Sequence, residues 1–357
     1  MTLKIAIAGA GHIANVHASA VKNQGGQVVA VIEKFLDKAA AFTQKFAIPH
    51  QYSTLEEAIS EAKFDALVIG TPNFLHTPQT IAALNAKIPV MVEKPMAMNA
   101  VESAEVIEAS LRSNTVLVVA HCWRFDEEVL WLRSQTHKLG KIIRTKGCGV
   151  HTHWGPGGWF LDKKLAGGGA IADVGIHAID TARFLLNDPQ PISVFAKIGT
   201  YYKNFDVDDT SIIIINWDNG TTSYIESGWW QPYVDSPLAG TQLYGTNGFG
   251  QIFPTRLILP CTQKQNEADR SIWNRVLSKF KKQEEIVEVK SGFNFPRKVH
   301  FPQSMYDRQM AHFFECIRTK LTPISGGIEG AINMQIVDAA YESAKTGQVV
   351  EITGITQ

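Results

Sequence analysis

The chain has 357 residues, 45% of them hydrophobic and 19% charged, a composition that excludes a disordered or fibrous polypeptide and suits two domains of ordinary size. Its 34 basic residues balance 34 acidic ones, so there is no basic footprint for a phosphate backbone and nucleic acid is not an expected partner. No run approaches the roughly 18 consecutive apolar residues of a membrane span, and Cys122, Cys148, Cys261 and Cys316 stand apart without CxxC or zinc-type spacing, which points to a reducing, cytoplasmic compartment.

Leu3–Ala8 reads as a short apolar strand, buried on both faces as in a parallel sheet. Gly9-Ala10-Gly11-His12-Ile13-Ala14 follows at once. In this G-x-G-x-x-G/A pattern the first glycine makes a tight turn, the second admits a pyrophosphate against the backbone, and the small last residue lets helix pack on strand. A helix over His12–Lys22 would aim its first N–H groups at the phosphates, making Gly9, Gly11, His12 and Ile13 candidate cofactor contacts. The glycines also argue against reading this stretch as a secretory leader. Gln27–Ile32 is a second strand, and Glu33 ends it where a carboxylate would accept the adenosine ribose hydroxyls and repel a 2′-phosphate. NAD is the expected cofactor; Lys34, able to reach a 2′-phosphate, leaves NADP open.

Helix and strand patterns then alternate: helix Leu55–Ala62, strand Ala66–Gly70, helix Pro78–Ala86, strand Val90–Glu93, helix Val101–Ser110, strand Val116–Ala120. Such alternation predicts an α/β, doubly wound parallel sheet, with ligands beyond the carboxyl ends of its strands. Thr71-Pro72-Asn73 with His76, and Glu93-Lys94-Pro95, stand at two such ends. We read Thr71, Pro72, Asn73, His76, Glu93 and Lys94 as further cofactor contacts. A cation at Lys94 beside a nicotinamide would stabilise the alkoxide that forms as a hydroxyl is oxidised.

In the second half, Glu127–Leu139 reads as a helix and Ile142–Val150 as a strand continuing into His151 and His153, which would share one face. Gly167-Gly168-Gly169 runs into a helical pattern carrying Asp173, His177 and Asp180 at i, i+4 and i+7, stacked on one side within about two turns. Val194–Thr200, Ser211–Trp217, Thr221–Trp229 and Gly240–Gly245 predict an antiparallel meander. Residues 261–300, with a charged run over 279–285, read as a solvated excursion. Met305–Lys320 and Ile332–Thr346 are closing amphipathic helices.

The glycine turn, Thr71-Pro72-Asn73 with His76, Glu93-Lys94-Pro95 and the Gly167–Asp180 stretch, in this order and spacing, resemble the Gfo/Idh/MocA oxidoreductases, which include glucose-fructose oxidoreductase and inositol 2-dehydrogenase. The resemblance extends from about residue 3 to Val349-Val350-Glu351-Ile352. It implies Lys94, Asp173 and His177 as the catalytic group, a cis Lys94–Pro95 bond and no catalytic metal. It also implies an N-terminal Rossmann domain over 1–122 and, over 123–357, an α+β domain with a large, mostly antiparallel open sheet for substrate binding and for assembly as a homodimer or homotetramer.

The activity so implied is NAD(P)-dependent hydride transfer between nicotinamide and a secondary hydroxyl, or the ketone, of a sugar, cyclitol or related polyol. His177 would act as base, Asp173 would orient it, Lys94 would bind the reacting oxygen and Asp180 a neighbouring hydroxyl. His153 and Trp159 are additional substrate candidates, and Arg124 a cofactor or substrate contact. Whether Lys94 or His177 takes the proton stays open. Two other readings share the motifs: an NAD-dependent glycosidase of the same family, and a non-catalytic sugar- or NAD-sensing regulator, which retention of all three catalytic residues disfavours.

Overall fold

A computed structural model describes residues 2–232, 239–260 and 302–353, and the backbone of 285–289. Cys261 and the charged run at 279–284 lie outside the described residues.

Six short strands, β1 (Lys4–Ala8), β2 (Gln27–Ile32), β3 (His50–Tyr52), β4 (Ala66–Ile69), β5 (Val90–Glu93) and β6 (Leu117–Ala120), form a sheet in the order β3-β2-β1-β4-β5-β6. Every pairing is parallel. Uninterrupted apolar strands such as Ala66-Leu67-Val68-Ile69 are buried along their whole length, because helices cover both faces. The helices are α1 (His12–Asn23), α2 (Leu36–Phe46), α3 (Leu55–Glu61), α4 (His76–Asn85) and α5 (Ala100–Ser113). Local chemistry sets their ends: Thr54 and Glu57 form a capping box at α3, and Asn99 accepts the Glu102 N–H at α5, satisfying donors with no partner inside the helix. The strand order reverses between β1 and β4, and that switch point opens a crevice at their carboxyl ends.

After α6 (Glu127–Gln135) the chain builds a second sheet of nine strands: β7 (Ile142–Thr152), β8 (Pro191–Gly199), β9 (Thr210–Trp217), β10 (Thr222–Gln231), β11 (Ala239–Gly245), β12 (Gly248–Gln251), β13 (Arg256–Pro260), β14 (Glu285–Val289) and β15 (Val350–Glu351). Their order is β14-β13-β12-β11-β7-β10-β9-β8-β15. The sheet is mostly antiparallel and open, as expected, but the simple meander is corrected. Strands β8 to β10 pair consecutively and so do β11 to β14, but β7 inserts between β10 and β11, parallel to β10. No local pattern encodes that insertion, since β7 precedes β10 by a long stretch containing α7 (Lys163–Ala166) and α8 (Ile176–Leu185).

Alternation along β9 buries Ile213 and Ile215 while leaving Ile212 and Ile214 exposed. The buried side packs on α8 and on α10 (Gly327–Thr346), where Ile176, Ile179, Ile332 and Ile336 complete one core cluster. The two closing helices also hold the sheets together: α9 (Gln303–Thr319) lies on α1, and α10 touches α5 and β6. The carboxyl ends of β5 and β6 therefore face the segment that leads into α8.

Candidate active site

Lys94 follows the last residue of β5, and its bond to Pro95 is cis. Its ammonium donates to Asp173 Oδ1 and to the Asp173 carbonyl, both at 2.9 Å. The second carboxylate oxygen, Oδ2, accepts the indole N–H of Trp229 at 3.1 Å. Lys94 and Asp173 keep side-chain exposures of 15% and 16%, so the pair is enclosed yet reachable. Burial alone would push the lysine down, but the Asp173 carboxylate and then Glu93 outweigh it and hold the ammonium above the ordinary lysine value. Burial would raise Asp173, and Lys94 more than reverses it, keeping the carboxyl below its usual range. The two shifts agree on an ionised pair.

Asp173 lies in a π-helical turn, Ile171–Gly175, that precedes α8. The expected continuous helix from the glycines is thus corrected to a loop, a widened turn and then α8; such turns are frequent at functional sites. Two groups distant in sequence shape it. Asp208 accepts the N–H groups of Gly169 and Ile171 at 2.9 Å each, and the Tyr341 hydroxyl at 2.6 Å. A Cβ on Gly169 would stand 1.9 Å from the Asp208 carbonyl oxygen, and one on Gly168 2.2 Å from the Tyr341 hydroxyl. Gly169 is therefore required by close backbone approach, and Gly168 by the seat of the Tyr341 hydroxyl.

His177, in the first turn of α8, stacks on Trp123 with ring centroids 5.5 Å apart and planes inclined by 21°. Burial, and then the charge of Lys94, hold its imidazole well below the ordinary value. It is neutral at physiological pH and able to accept a proton. Burial likewise lowers His76 and His121. A histidine depressed in the folded state contributes stability above its unfolded value, about 6.5, and loses it as pH falls toward the folded value. The thermal midpoint is therefore expected to be flat above about pH 7 and to fall steadily below about pH 6.5, as scanning calorimetry across that range would register.

On the cofactor side, Gly9 has φ +94, and a Cβ there would lie 2.7 Å from the Gly70 carbonyl oxygen. A Cβ on Gly11 would meet nothing within 4 Å. That open space lies before the N-terminus of α1, which carries no acidic side chain in its first turn, so the cradle suits the pyrophosphate of a dinucleotide. Glu33, half-buried at the end of β2, accepts the N–H groups of Ala10 at 3.1 Å and Phe35 at 3.0 Å. Lys34 is exposed, His12 is exposed, and Ile13 and Pro72 are half-buried at the crevice.

Other expected contacts face inward. Asn73 donates to the Ala166 carbonyl at 2.8 Å, linking the first sheet to the segment before the glycines. Thr71 donates to Gln79 at 2.8 Å, and the two ring nitrogens of His76 lie 2.7 and 2.9 Å from the carbonyl oxygens of Pro95 and Thr71. Glu93 is buried. These side chains brace the rim.

Three expectations are corrected. Asp180 and Arg124 are each 1% exposed and pair with one another: Arg124 Nε and Nη2 reach the Asp180 carboxylate at 2.8–3.0 Å, and Asn333 donates to it at 2.9 Å. Neither has a face for a ligand, because the widened turn before α8 carries Asp173 toward Lys94 while Asp180 points into the interior. His153 does not share a face with His151, since β7 ends at Thr152 and His153 has φ +60. His151 instead stacks on Trp154 at 3.7 Å and feels both Asp173 and Lys94. Trp159 is half-buried, stacked on Phe160 at 3.9 Å. Among the described residues no group of three or more His, Cys, Asp or Glu is arranged to hold a metal ion.

Comparison with known proteins agrees with this geometry. Residues 3–121 match the oxidoreductase family with an NAD-binding Rossmann fold, and residues 134–249 match the Gfo/Idh/MocA C-terminal domain. The chain is 28% identical to the D-glucoside 3-dehydrogenase of Escherichia coli, covering 98% of this chain and 97% of that one. It is 30% identical to the trans-1,2-dihydrobenzene-1,2-diol dehydrogenase of Xenopus laevis, covering 71% and 76%. A levoglucosan dehydrogenase solved with NADH shares the fold with a TM-score of 0.84 at 20% identity, over 99% of this chain and 100% of that one. With both halves matched in order, and the cradle, the Lys94–Asp173 pair and His177 in place, the chain belongs to the Gfo/Idh/MocA family of NAD-binding oxidoreductases.

Proposed function

We propose that the protein is an NAD(P)-dependent dehydrogenase or reductase acting on a secondary hydroxyl, or the ketone, of a sugar, cyclitol or related polyol, with NAD preferred. The observation that carries this reading is the ionised Lys94–Asp173 pair beside a neutral, buried His177. The bound cofactor supplies a hydride acceptor at the nicotinamide C4. His177 takes the hydroxyl proton; Lys94, held as an ammonium by Asp173, donates a hydrogen bond to the reacting oxygen and stabilises the negative charge developing there. A lysine raised by its carboxylate partner is a poor proton acceptor at neutral pH, which favours His177 for that role. Asp173 holds Lys94 on one oxygen and is itself fixed by Trp229 on the other.

In this reading residues 1–122 bind the cofactor, Glu33 disfavours a 2′-phosphate, and residues 123–357 bind substrate, with His151, Trp154 and Trp159 nearest the sugar. Exposed Phe195, Ile212 and Ile214 on the outer sheet face favour a homodimer or homotetramer assembled through that sheet. No helix among the described residues is long and apolar enough to cross a membrane, and Cys122 and Cys316 are buried outside any disulfide, which suits the cytoplasm.

The test is reduction of NAD+ and NADP+ across a panel of sugars, glucosides, sugar acids, inositols and nucleotide sugars, with nitrophenyl glycosides assayed without added cofactor. NADH formation with a panel sugar is expected. Glycoside cleavage without net reduction would give the site to the glycosidase reading. Tight NAD binding with neither activity would give it to a regulator.

A further inference from the structure

His17 has no place in the chemistry above. It lies on α1, fully enclosed, with Nε2 2.7 Å from Glu93 Oε1 and its ring edge-on to Tyr306 at 5.9 Å. The other carboxylate oxygen, Glu93 Oε2, accepts the backbone N–H of Lys94 at 3.1 Å. One carboxylate therefore connects the first helix to the residue whose side chain reaches Asp173. Burial would raise the Glu93 carboxyl, but His17 first, and then Lys94 and His76, hold it below the usual range. An ionised carboxylate at this distance places the proton of His17 on Nε2. The far side of the same turn is braced separately, by His76 against the Pro95 carbonyl.

We infer that His17 is a positioning residue for Lys94: its Nε2–H fixes the Glu93 carboxylate, which holds the Lys94 backbone nitrogen and so aims the ammonium at Asp173 and the reacting oxygen. The inference rests on the role proposed for Lys94. It distinguishes two ways of occupying the same space. A packing role needs an apolar shape of the right size, whereas positioning needs a hydrogen-bond donor where Nε2 stands.

Leucine and glutamine separate these. His17→Leu fills the site without a donor; His17→Gln returns an amide N–H close to the Nε2 position. Glu93, assigned with Glu93→Gln, is followed by NMR of isotope-labelled glutamate carboxyls in the full chain without substrate. His17→Leu is expected to raise its midpoint by about one pH unit or more, and His17→Gln to leave it within a few tenths. With NAD+ and the best sugar of the panel, His17→Leu is expected to lower kcat about 10- to 100-fold with the KM for NAD+ within about two-fold. His17→Gln should recover most of that loss. If the leucine variant does not fold by circular dichroism, Glu93→Leu should reproduce the kcat loss at unchanged KM, because it removes the acceptor of the Lys94 N–H. An unmoved Glu93 midpoint in His17→Leu, equal losses in the leucine and glutamine variants of His17, or wild-type kcat in Glu93→Leu would overturn the inference. Lys94→Ala is measured alongside: if it keeps wild-type turnover, the role proposed for Lys94 fails, while the carboxyl titration still decides whether His17 holds Glu93.

Discussion

Replacing Lys94 by alanine is expected to lower kcat by about 10²- to 10³-fold, the usual loss when a donor to a developing oxyanion is removed. Replacing His177 by alanine should cost about 10²- to 10⁴-fold, the range for a general base. NAD+ affinity, read by fluorescence titration, should stay within about two-fold in both, because the cradle at Gly9–Gly11 and the α1 N-terminus lies apart from these side chains. The Lys94 variant carries a second consequence. Asp173 loses the ammonium it pairs with while remaining enclosed, so its carboxyl rises and activity becomes sensitive to acid where the wild type is not. Wild-type turnover in both variants would remove the site from the chemistry.

Arg124→Ala is expected to destabilise the protein by about 3–5 kcal/mol, the cost of leaving a buried charge without its partner. The guanidinium forks onto Asp180, donates from Nη1 to the Ile324 carbonyl at 2.9 Å, and lies 2.9 Å from Asp188. It thereby joins the end of β6 to α8, to the segment before α10 and to the turn after α8. Lysine cannot reproduce that fork, so Arg124→Lys should recover little. The apolar pair Arg124→Met with Asp180→Leu should be less damaging than Arg124→Ala, because no charge is stranded. Urea unfolding with all three variants measures this; a loss below about 1 kcal/mol in Arg124→Ala would mean that the pair is not the lock described.

The fold was legible where a pattern is local. Strands β2 and β5 are placed to the residue, and β1, β4 and β6 within one residue, because buried parallel strands are short unbroken apolar runs between turn residues. The helix α2 and strand β3 went unread: α2 buries only Ala39 and Phe42, and β3 is three residues long, too little periodicity to see. The order of the second sheet depends on a pairing between β7 and β10 that no local rule supplies.

The site divides in the same way. Lys94, Asp173 and His177 stand in short motifs, and the structure brings Lys94, at the end of β5, into contact with Asp173, in the turn before α8. What shapes them is remote: Asp208 and Tyr341 around the glycines, Trp229 on Asp173, His17 on Glu93. In the sequence Asp208 is one acid between two strands and His17 one residue of a mostly apolar helix, with no local motif to mark either. Helical spacing sets Asp180 beside Asp173 and His177, but Asp180 is buried against Arg124 and Asn333, a pairing that comes from remote segments and leaves no local signal.

The most direct measurement follows the hydride. A panel sugar that supports NADH formation is prepared with deuterium on the carbon bearing the reacting hydroxyl and incubated with unlabelled NAD+ and the protein. Deuterium at the nicotinamide C4 of the product, formed about 10²- to 10⁴-fold more slowly when His177 is replaced by alanine, is the predicted result. NADH free of deuterium, or labelled NADH formed at the wild-type rate by the His177 variant, would contradict the account.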